Sequence, residues 1–363
     1  MKPTIHFKPH IASTEPYVGG STRERNATKK IYKLSSNENL LGPSPKALSA
    51  ILKNLDSLHE YDFQDDSILC DALTAFFHHE ATPRQFITAN SCMELLDLIC
   101  RAFLEPGDQV ILSTPTFLAY RNFAAVSGGT TIDVPLKGRD FSIDIDNMVR
   151  AVDAKTKIIF ISSPNNPTGS IVTSDAMQQL LEQLPPHVVV VYDEVYHHYV
   201  EHPKYARAWD FIRKGFPVIG LHSFSKAYGL AGMRVGYAFS TPDMAGYLRR
   251  LRRPFMLNTL AVVGAMAALT DDRYIRQSVQ LVEKEKAWMY TQLKNMGVTF
   301  YPSHANFILI KPPYAATHFA ADILDAGIMV RTTEPFGAPD MIRVTIGTRP
   351  ANAAFINVLK ILL

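Results

Sequence analysis

The segment around Lys226 combines a lysine with side chains that suit a phosphate. Lys226 lies in Ser-Phe-Ser-Lys, directly after the apolar run 218–222, which predicts a strand. A lysine at the mouth of a buried sheet loses solvation, and this lowers its pKa and favours the neutral, nucleophilic amine. Ser223, Ser225 and Arg234 add hydrogen-bond donors for an anion. The pattern favours imine formation with an aldehyde cofactor that carries a phosphate, although a lone lysine is usually an exposed loop residue.

A carboxylate and a phenol follow the preceding apolar run. Asp193 comes after four valines and Tyr192, so we expect it at the end of a buried strand. A buried carboxylate is costly unless it is paired, and a protonated pyridine nitrogen is a suitable partner that keeps the ring an electron sink. Tyr196 lies three residues further on, where it could hydrogen-bond the phenolic oxygen of such a ring. An ordinary buried ion pair or a helix cap is the alternative interpretation of Asp193.

The turn that contains Asn166 follows a third apolar run. Pro167 and Gly169, in Pro-Asn-Asn-Pro-Thr-Gly, predict a tight turn after residues 157–162. A side-chain amide held there could donate to the same phenolic oxygen, whereas a bare turn is the simpler alternative. In open α/β sheets, ligands bind at the carboxyl ends of the strands, so these three segments can converge although they are distant in sequence.

A fourth candidate is the segment Ser91-Cys92-Met93-Glu94, which opens a predicted helix over 92–103. Helix N-termini present unpaired backbone N–H groups and favour anions, so the amides of this segment could bind a cofactor phosphate. The alternative is a plain cap by Ser91, with Glu94 completing a capping box. By itself, this segment favours the plain cap. The specific signal is the combination of the Asp193–Tyr196 pair, the Asn166 turn and the run of Ser223, Lys226 and Arg234, in this order and at strand ends.

These residues require a parallel sheet to position them. Between about residues 85 and 240, short β-branched runs alternate with helical patterns, and such runs are typical of strands covered on both faces. Alternating β and α units predict an α/β fold with a mostly parallel sheet and helices on both sides. The clearest predicted strands are 110–113, 130–134, 157–162, 188–192, 218–222 and 235–239.

The character of the chain changes near residue 255. The amphipathic stretch 274–296 predicts a long connecting helix, and shorter strands and helices follow it. A chain of 363 residues is longer than one core usually organises, so we expect two domains. We predict an N-terminal arm (1–30), a large domain (56–269), and a smaller α+β domain formed by 31–55 together with 270–363.

The composition argues against several other classes of protein. The net charge is only +3, and we expect the arginines at 249–253 on a solvated or subunit-facing helix rather than on nucleic acid. The three cysteines fit neither a zinc site nor a disulfide framework, and the histidine pairs at 78–79 and 197–198 suit one metal ion poorly. No signal peptide or membrane span is recognisable, so we expect a cytoplasmic protein without a bound metal.

Together these segments resemble the fold-type I pyridoxal-5′-phosphate (PLP) enzymes of the aspartate aminotransferase superfamily, class II. The resemblance covers nearly the whole chain, from Pro16-Tyr17-Val18-Gly19-Gly20 and Ser36-Asn37-Glu38-Asn39 to Ser303-His304-Ala305-Asn306-Phe307 and Ile-Arg-Val-Thr-Ile-Gly at 342–347. Within the superfamily, the chain is most similar to the histidinol-phosphate aminotransferases. The family implies a PLP-dependent transferase fold with a seven-stranded sheet, and a homodimer.

The resemblance also implies a role for each candidate residue. Lys226 would hold PLP as a Schiff base and shuttle protons, and Asp193 would pair with the pyridine nitrogen. Tyr196 and Asn166 would hold the phenolic oxygen. The other implied cofactor-binding residues are Phe117 on the ring face, Ser91, Cys92, Met93, Ser223, Ser225 and Arg234 at the phosphate, and Tyr61 from the neighbouring subunit. The implied substrate-binding residues are Tyr17 as a cover, Arg331 for a phosphate and Arg343 for a carboxylate.

The implied reaction is transamination between L-histidinol phosphate and 2-oxoglutarate, which gives imidazole acetol phosphate and L-glutamate in histidine biosynthesis. Alternating half-reactions predict ping-pong kinetics. An aromatic amino acid aminotransferase and a PLP decarboxylase of the threonine-phosphate type share most of these motifs and stay open as alternatives. A non-catalytic binding or regulatory protein on this fold is disfavoured because Lys226 is present.

Overall fold

The computed structural model describes residues 5–17, 19, 31–63 and 65–363. The strands in these residues are β1 (Tyr32–Lys33), β2 (Phe86–Ala89), β3 (Gln109–Thr114), β4 (Thr130–Pro135), β5 (Thr156–Ser162), β6 (Val189–Asp193), β7 (Val218–Ser223), β8 (Gly236–Phe239), β9 (Phe300–Tyr301), β10 (Phe307–Ile310), β11 (Ile328–Met329), β12 (Arg331–Thr332) and β13 (Ile342–Thr345). The α-helices are α1 (Pro9–Ala12), α2 (Pro45–Lys53), α3 (Ser67–Phe76), α4 (Ser91–Phe103), α5 (Ala119–Val126), α6 (Ile145–Arg150), α7 (Ser174–Gln183), α8 (Ala208–Arg213), α9 (Pro242–Arg249), α10 (Thr259–Leu269), α11 (Asp272–Asn295), α12 (Ala316–Asp325) and α13 (Arg349–Leu362).

A seven-stranded sheet forms the centre of the larger unit, in the order β2-β8-β7-β6-β5-β3-β4. β3 to β7 pair in parallel, whereas β8 runs in the opposite direction because it is antiparallel to both β2 and β7. The predicted seven-stranded, mostly parallel sheet is therefore confirmed. Six of its strands lie where the apolar runs predicted them, while β2 was not among the predicted strands.

The two faces of the sheet pack against different helices, because successive side chains of a strand point to opposite faces. On β6, Val190 and Tyr192 pack in a core that includes residues of α3, α7, α8 and α10. Val189 and Val191 pack in a second core, which includes residues of α4, α5 and α9. Asp193 continues this second series at the carboxyl end of β6, so its carboxylate meets side chains from the α4 and α5 side.

The C-terminal part of the chain builds a second sheet with its own core. β9, β10, β12 and β13 form an antiparallel sheet in the order β12-β13-β10-β9. Phe307, Phe319 and Phe355, from β10, α12 and α13, are fully buried in this core. The predicted connecting helix is α11, since Ile275 near its start packs against the large core and Met289 near its end is buried in the small one.

Residues 31–55 divide between the two units. β1 pairs in parallel with β11 of the smaller unit. In contrast, α2 packs along α10, where Ile51 lies close to Gly264, and Ala47 is buried in the large core. The small residues of α10 permit this close approach. We therefore propose that the small domain takes β1 from this segment, and that α2 belongs with the large domain.

Part of the predicted N-terminal arm lies along the large unit. Helix α1 contacts α5, and the Glu15 carbonyl accepts a hydrogen bond from Asn122 Nδ2 at 3.1 Å. The rest of the predicted arm, residues 1–4, 18 and 20–30, lies outside the described residues.

Within the described ranges, no helix combines the length and the apolar character needed to cross a membrane. The same ranges contain no group of three or more histidine, cysteine or acidic side chains placed to hold a metal ion. Cys70 and Cys100 are buried and Cys92 is partly buried, and all three carry free thiols.

Candidate active site

A cavity of about 590 Å³ lies where the ends of β5, β6 and β7 meet the start of α4 and the strands β12 and β13. The predicted cofactor- and substrate-binding residues come together here, with the exception of Tyr61. The predicted residues that line the cavity are Tyr17, Ser91, Cys92, Met93, Phe117, Asn166, Asp193, Tyr196, Ser223, Ser225, Lys226, Arg234, Arg331 and Arg343.

Lys226 follows β7 and lines the cavity with its side chain. Its Nζ donates to the Ser36 carbonyl oxygen at 3.1 Å and lies 5.7 Å from the centre of the Tyr196 ring. Burial, reinforced by the positive charge of Arg343, lowers the pKa of Lys226 to about 8. A much larger fraction of this amine is therefore neutral at pH 7 than for an ordinary lysine, as a nucleophile requires.

Asp193 ends β6 with only 4% of its surface exposed. Its Oδ2 accepts a hydrogen bond from the Tyr120 hydroxyl at 2.7 Å, and its Oδ1 accepts one from the Val195 amide at 3.2 Å. Burial raises the pKa of the carboxyl to about 6, although both hydrogen bonds favour the charged form. No cationic side chain in the described part of the chain forms an ion pair with Asp193, which disfavours the ordinary ion-pair interpretation.

Arg343, on β13, joins the two units of the structure at Asn166. Its Nη1 donates to Asn166 Oδ1 at 2.5 Å, and its Nη2 donates to the Ser35 carbonyl at 2.6 Å. Burial lowers the pKa of Arg343 to about 10, so the guanidinium still stays charged at pH 7. Because its oxygen accepts from Arg343, the Asn166 amide keeps its N–H groups as donors, as its predicted role requires.

Tyr196 follows β6 and is held by the segment before α2. Its hydroxyl accepts a hydrogen bond from Asn37 Nδ2 at 2.9 Å. Asn37 is itself fixed through its backbone, since its backbone amide donates to Thr345 Oγ1 at 2.9 Å and its backbone carbonyl accepts from Asn306 Nδ2 at 3.1 Å. Burial raises the pKa of Tyr196 to about 12, so its phenol remains a proton donor at neutral pH.

The start of α4 differs from the plain cap by Ser91 that the sequence also allows. The N-cap residue is Asn90, whose backbone amide donates to Glu94 Oε2 at 2.8 Å. Ser91 is the first residue of the helix and has a φ of 76°, and its buried Oγ has no hydrogen-bond partner among the described residues. The Ser91 hydroxyl therefore does not cap the helix, and its unsatisfied oxygen fits a polar ligand at this end of the cavity.

Donors from two other turns surround the same end of the cavity. The Ser225 amide donates to Ser223 Oγ at 3.1 Å, and Arg234 adopts a left-handed backbone conformation with its Nη1 on the Ala231 carbonyl at 2.9 Å. The backbone at Gly236 passes so close to the Cys92 amide that a Cβ atom would lie 3.0 Å from it. Hydroxyls, a guanidinium and a helix N-terminus thus form a set that suits a phosphate.

Aromatic and cationic side chains form another part of the cavity lining. The Arg331 guanidinium lies 5.6 Å from the centre of the Phe336 ring, and its Nη1 donates to the Gly19 carbonyl at 3.0 Å. Phe117 contacts Phe336 at 6.4 Å between ring centres. Burial raises the pKa of the Tyr17 phenol, while the nearby positive charges oppose this change. The N-terminal segment thus covers the predicted substrate-binding arginines.

Tyr61 is the predicted site residue that does not line the cavity. Its side chain is 82% exposed and contacts Phe255, with 4.6 Å between the ring centres. Its implied contact with a neighbouring subunit's cofactor remains a prediction.

Sequence reasoning missed two residues that fix the site. Tyr120 binds Asp193, and Asn37 binds Tyr196. Asn37 lies in the motif Ser36-Asn37-Glu38-Asn39, which carried part of the resemblance but no individual role. The spacing from Phe117 to Tyr120 places both near the start of α5, which could have indicated that the tyrosine also faces the site.

Comparison with known families defines the class of this protein. The family of class I and II aminotransferases matches residues 29–359. The chain therefore belongs to that family.

Several relatives carry a more particular name. The histidinol-phosphate aminotransferase of Moorella thermoacetica is 38% identical over 355 residues, which cover 96% of this chain and 91% of that protein. Histidinol-phosphate aminotransferase 2 of Carboxydothermus hydrogenoformans is 37% identical over 359 residues, which cover 97% of this chain and 98% of the relative. The crystal structure of histidinol-phosphate aminotransferase from Sinorhizobium meliloti in complex with pyridoxal-5′-phosphate matches with a TM-score of 0.89, at 26% identity and 100% coverage of both chains.

Proposed function

We propose that the protein is a PLP-dependent aminotransferase that converts L-histidinol phosphate and 2-oxoglutarate to imidazole acetol phosphate and L-glutamate, in histidine biosynthesis. The observation that carries this proposal is that Lys226, with its low pKa, and the buried carboxylate of Asp193, which forms no ion pair with a described side chain, line the same cavity. The names of the full-length relatives and the PLP complex of the Sinorhizobium meliloti protein support the same cofactor and substrate.

The residues around the cavity fit PLP at both of its ends. Ser223, Ser225, Arg234 and the amides at the start of α4 would hold the phosphate, and Asp193 would pair with the ring nitrogen. The residues assigned to the remaining contacts are Tyr196 and Asn166 at the phenolic oxygen, Phe117 on the ring face, and Lys226 at the aldehyde carbon. When bound, PLP supplies an electron-poor ring that makes the substrate α-carbon acidic.

The chain's own contribution to catalysis is centred on Lys226. Its low pKa provides the neutral amine, and the hydrogen bond to the Ser36 carbonyl holds the Nζ group at the wall of the cavity. With PLP and substrate bound, the Lys226 Nζ would be the group that takes the proton from the substrate α-carbon. The ionised carboxylate of Asp193 would stabilise positive charge on the ring nitrogen, and the cover formed by the N-terminal segment would help to exclude water.

Two arginines in the cavity lining suit anionic substrates. We assign Arg343 to a substrate carboxylate and Arg331 to the phosphate of histidinol phosphate, because guanidinium groups bind both anions in bidentate fashion. Tyr17, which lines the cavity near both arginines, would close over the bound substrate.

We further propose that the enzyme acts as a cytoplasmic homodimer. In a dimer, Tyr61 of one subunit would reach the cofactor phosphate of the other, as the family resemblance implies. The exposed side chains of Leu48, Leu52, Leu55 and Leu58 lie on and after α2, close to Tyr61 in sequence, and would provide an apolar surface for the second copy. Its three free cysteines suit a reducing compartment.

The purified protein, loaded with PLP, tests the proposal directly. Incubation with L-histidinol phosphate and 2-oxoglutarate should produce L-glutamate, with ping-pong kinetics. Release of carbon dioxide from a phosphorylated amino acid would instead indicate a decarboxylase. A clear preference for phenylalanine or tyrosine as the amino donor would indicate an aromatic aminotransferase.

A further inference from the structure

Tyr120, on α5, is fully buried between the sheet and the cavity. Its ring stacks on Phe160 of β5, with 4.8 Å between the ring centres and 5° between the ring planes. The ring of Phe117 contacts it edge to face, at 5.6 Å and 87°. Two aromatic neighbours therefore hold the phenol in one orientation.

The hydroxyl of this phenol is directed at the acid of the site. It donates to Asp193 Oδ2 at 2.7 Å, while the Val195 amide donates to Oδ1 at 3.2 Å. Burial, followed by the charge of Asp193, holds the pKa of Tyr120 well above its usual value, so the phenol remains a donor. Each carboxylate oxygen thus has a donor in a fixed position, and the two donors set the orientation of the carboxylate.

The other ionisable groups near Asp193 cannot replace this contact. Lys226 favours the charged carboxylate but is the residue assigned to the cofactor aldehyde, and Glu194 opposes the charge. Burial raises the pKa of Glu194 to about 8, so this neighbour is largely neutral at pH 7. Cys92 and Tyr196 also face Asp193, and burial raises the pKa of each, which keeps both neutral.

We propose that Tyr120 is a positioning residue, which orients the Asp193 carboxylate and keeps it ionised for pairing with a protonated ring nitrogen. The purpose of this contact rests on the proposed cofactor role of Asp193. The contact itself is a property of the chain alone, so it can be tested in protein that carries no PLP.

The experiment measures the pKa of Asp193 in cofactor-free protein by NMR of carboxyl-labelled aspartate. Asp193→Asn assigns the signal, because the Asp193 resonance disappears in that variant. In Tyr120→Phe we expect the pKa of Asp193 to rise by about 1–2, because a hydrogen bond to the ionised form is lost. Tyr192→Phe is the matched control, since Tyr192 is also buried but its hydroxyl donates to the Ala206 carbonyl at 3.2 Å.

An unchanged pKa of Asp193 in Tyr120→Phe overturns the proposal. An equal rise in Tyr192→Phe also overturns it, because the effect would then follow from the loss of any buried hydroxyl. Site-specific replacement of Tyr120 by 3-fluorotyrosine provides a second test if Tyr120→Phe misfolds. Fluorine makes the hydroxyl a stronger donor, so the pKa of Asp193 should fall, and a rise would contradict the proposal.

A separate measurement distinguishes failure of this inference from failure of the proposed function. If the protein does not use PLP, the wild type will not develop the visible absorbance of lysine-bound PLP, whatever the titration of Asp193 shows. If the wild type does develop this absorbance, PLP binding should weaken as the pH falls, because a protonated Asp193 no longer pairs with the ring. This loss should begin at a higher pH in Tyr120→Phe than in the wild type.

Discussion

The two sides of the cavity are built from different kinds of residue. The side assigned to the cofactor ring comes from the ends of the central strands and the turns after them, where Asp193, Asn166 and Tyr196 are all buried. The side assigned to the substrate comes from separate segments, and Tyr17 there is 38% exposed. The difference indicates that the strand ends hold the residues assigned to the cofactor in buried, fixed positions, whereas the residues assigned to the substrate range from the buried Arg343 to the more exposed Tyr17.

Two lysines sharpen this comparison, because a low pKa alone does not make a catalytic lysine. Burial also lowers the pKa of Lys286, on α11, to about 8. However, its Nζ donates to the Ser303 carbonyl at 2.9 Å and it lies outside the cavity lining. Lys226 differs in its position beside a buried carboxylate and a set of donors that suit a phosphate, and these neighbours are what the proposed cofactor site requires.

The largest effect is expected from Lys226→Ala. The variant should lose the visible absorbance of lysine-bound PLP, and its transamination rate should fall by about 10⁴-fold, because both the attachment point and the proton carrier are absent. Absorbance spectra and glutamate formation measure the two losses.

Lys286→Met is the control for that variant. It removes a lysine of similarly low pKa but should keep the absorbance of lysine-bound PLP. Full activity in Lys226→Ala, or loss of the absorbance in Lys286→Met alone, would contradict the assignment.

Asp193→Ala tests the role assigned to the buried carboxylate in the cofactor part of the cavity. We expect the variant to bind PLP but to remove the substrate α-proton about 10²–10³-fold more slowly, because the positive charge on the ring nitrogen loses its partner. Stopped-flow measurement of the first half-reaction reports this step. Asp144→Ala is a suitable control, since Asp144 lies outside the cavity lining, where it caps α6 and pairs with Lys137, and its loss should lower stability without slowing proton removal. Equal rates in Asp193→Ala and wild type would exclude the proposed role.

Arg331→Lys and Arg343→Lys test the substrate side. Arg331→Lys should raise the KM for L-histidinol phosphate by about 10–100-fold while changing the KM for 2-oxoglutarate less, because lysine cannot bind a phosphate in bidentate fashion. Arg343→Lys should impair the reaction with both substrates, since Arg343 also anchors Asn166. Steady-state kinetics with each substrate varied separately measures the difference. The same change in both KM values for Arg331→Lys would refute its assignment to the phosphate.

The sequence predicted the buried side of the cavity well because its residues follow recognisable strands. Lys226, Asp193 and Asn166 each come after an apolar run, and parallel strands bring such ends to one edge of a sheet. The partners of these residues were harder to predict. Tyr120 is 73 residues from Asp193, and Asn37 is 159 residues from Tyr196, so these hydrogen bonds depend on how whole elements pack.

Two local features show the same limit at shorter range. The sequence favoured Ser91 as the alternative helix cap, yet Asn90 occupies that position and leaves the Ser91 hydroxyl without a partner. The sequence places helix α2 in the small unit, and its packing along the small side chains of α10 supports the proposal that it belongs with the large one. In both cases, several residue types fit the local pattern, and tertiary packing decides between them.

The smallest effect is expected from Tyr17→Phe, on the exposed side of the cavity. Phenylalanine keeps the aromatic cover and removes only the hydroxyl, so the loss is limited to one hydrogen bond to a bound substrate. We expect the KM for both substrates to rise by about 2–10-fold, with little change in kcat, because the group binds the substrate without taking part in proton transfer. The PLP absorbance should match that of the wild type. A large fall in kcat without a change in KM would mean that Tyr17 acts in the chemical step, and the division between residues that carry out the chemistry and residues that select the substrate would then fail.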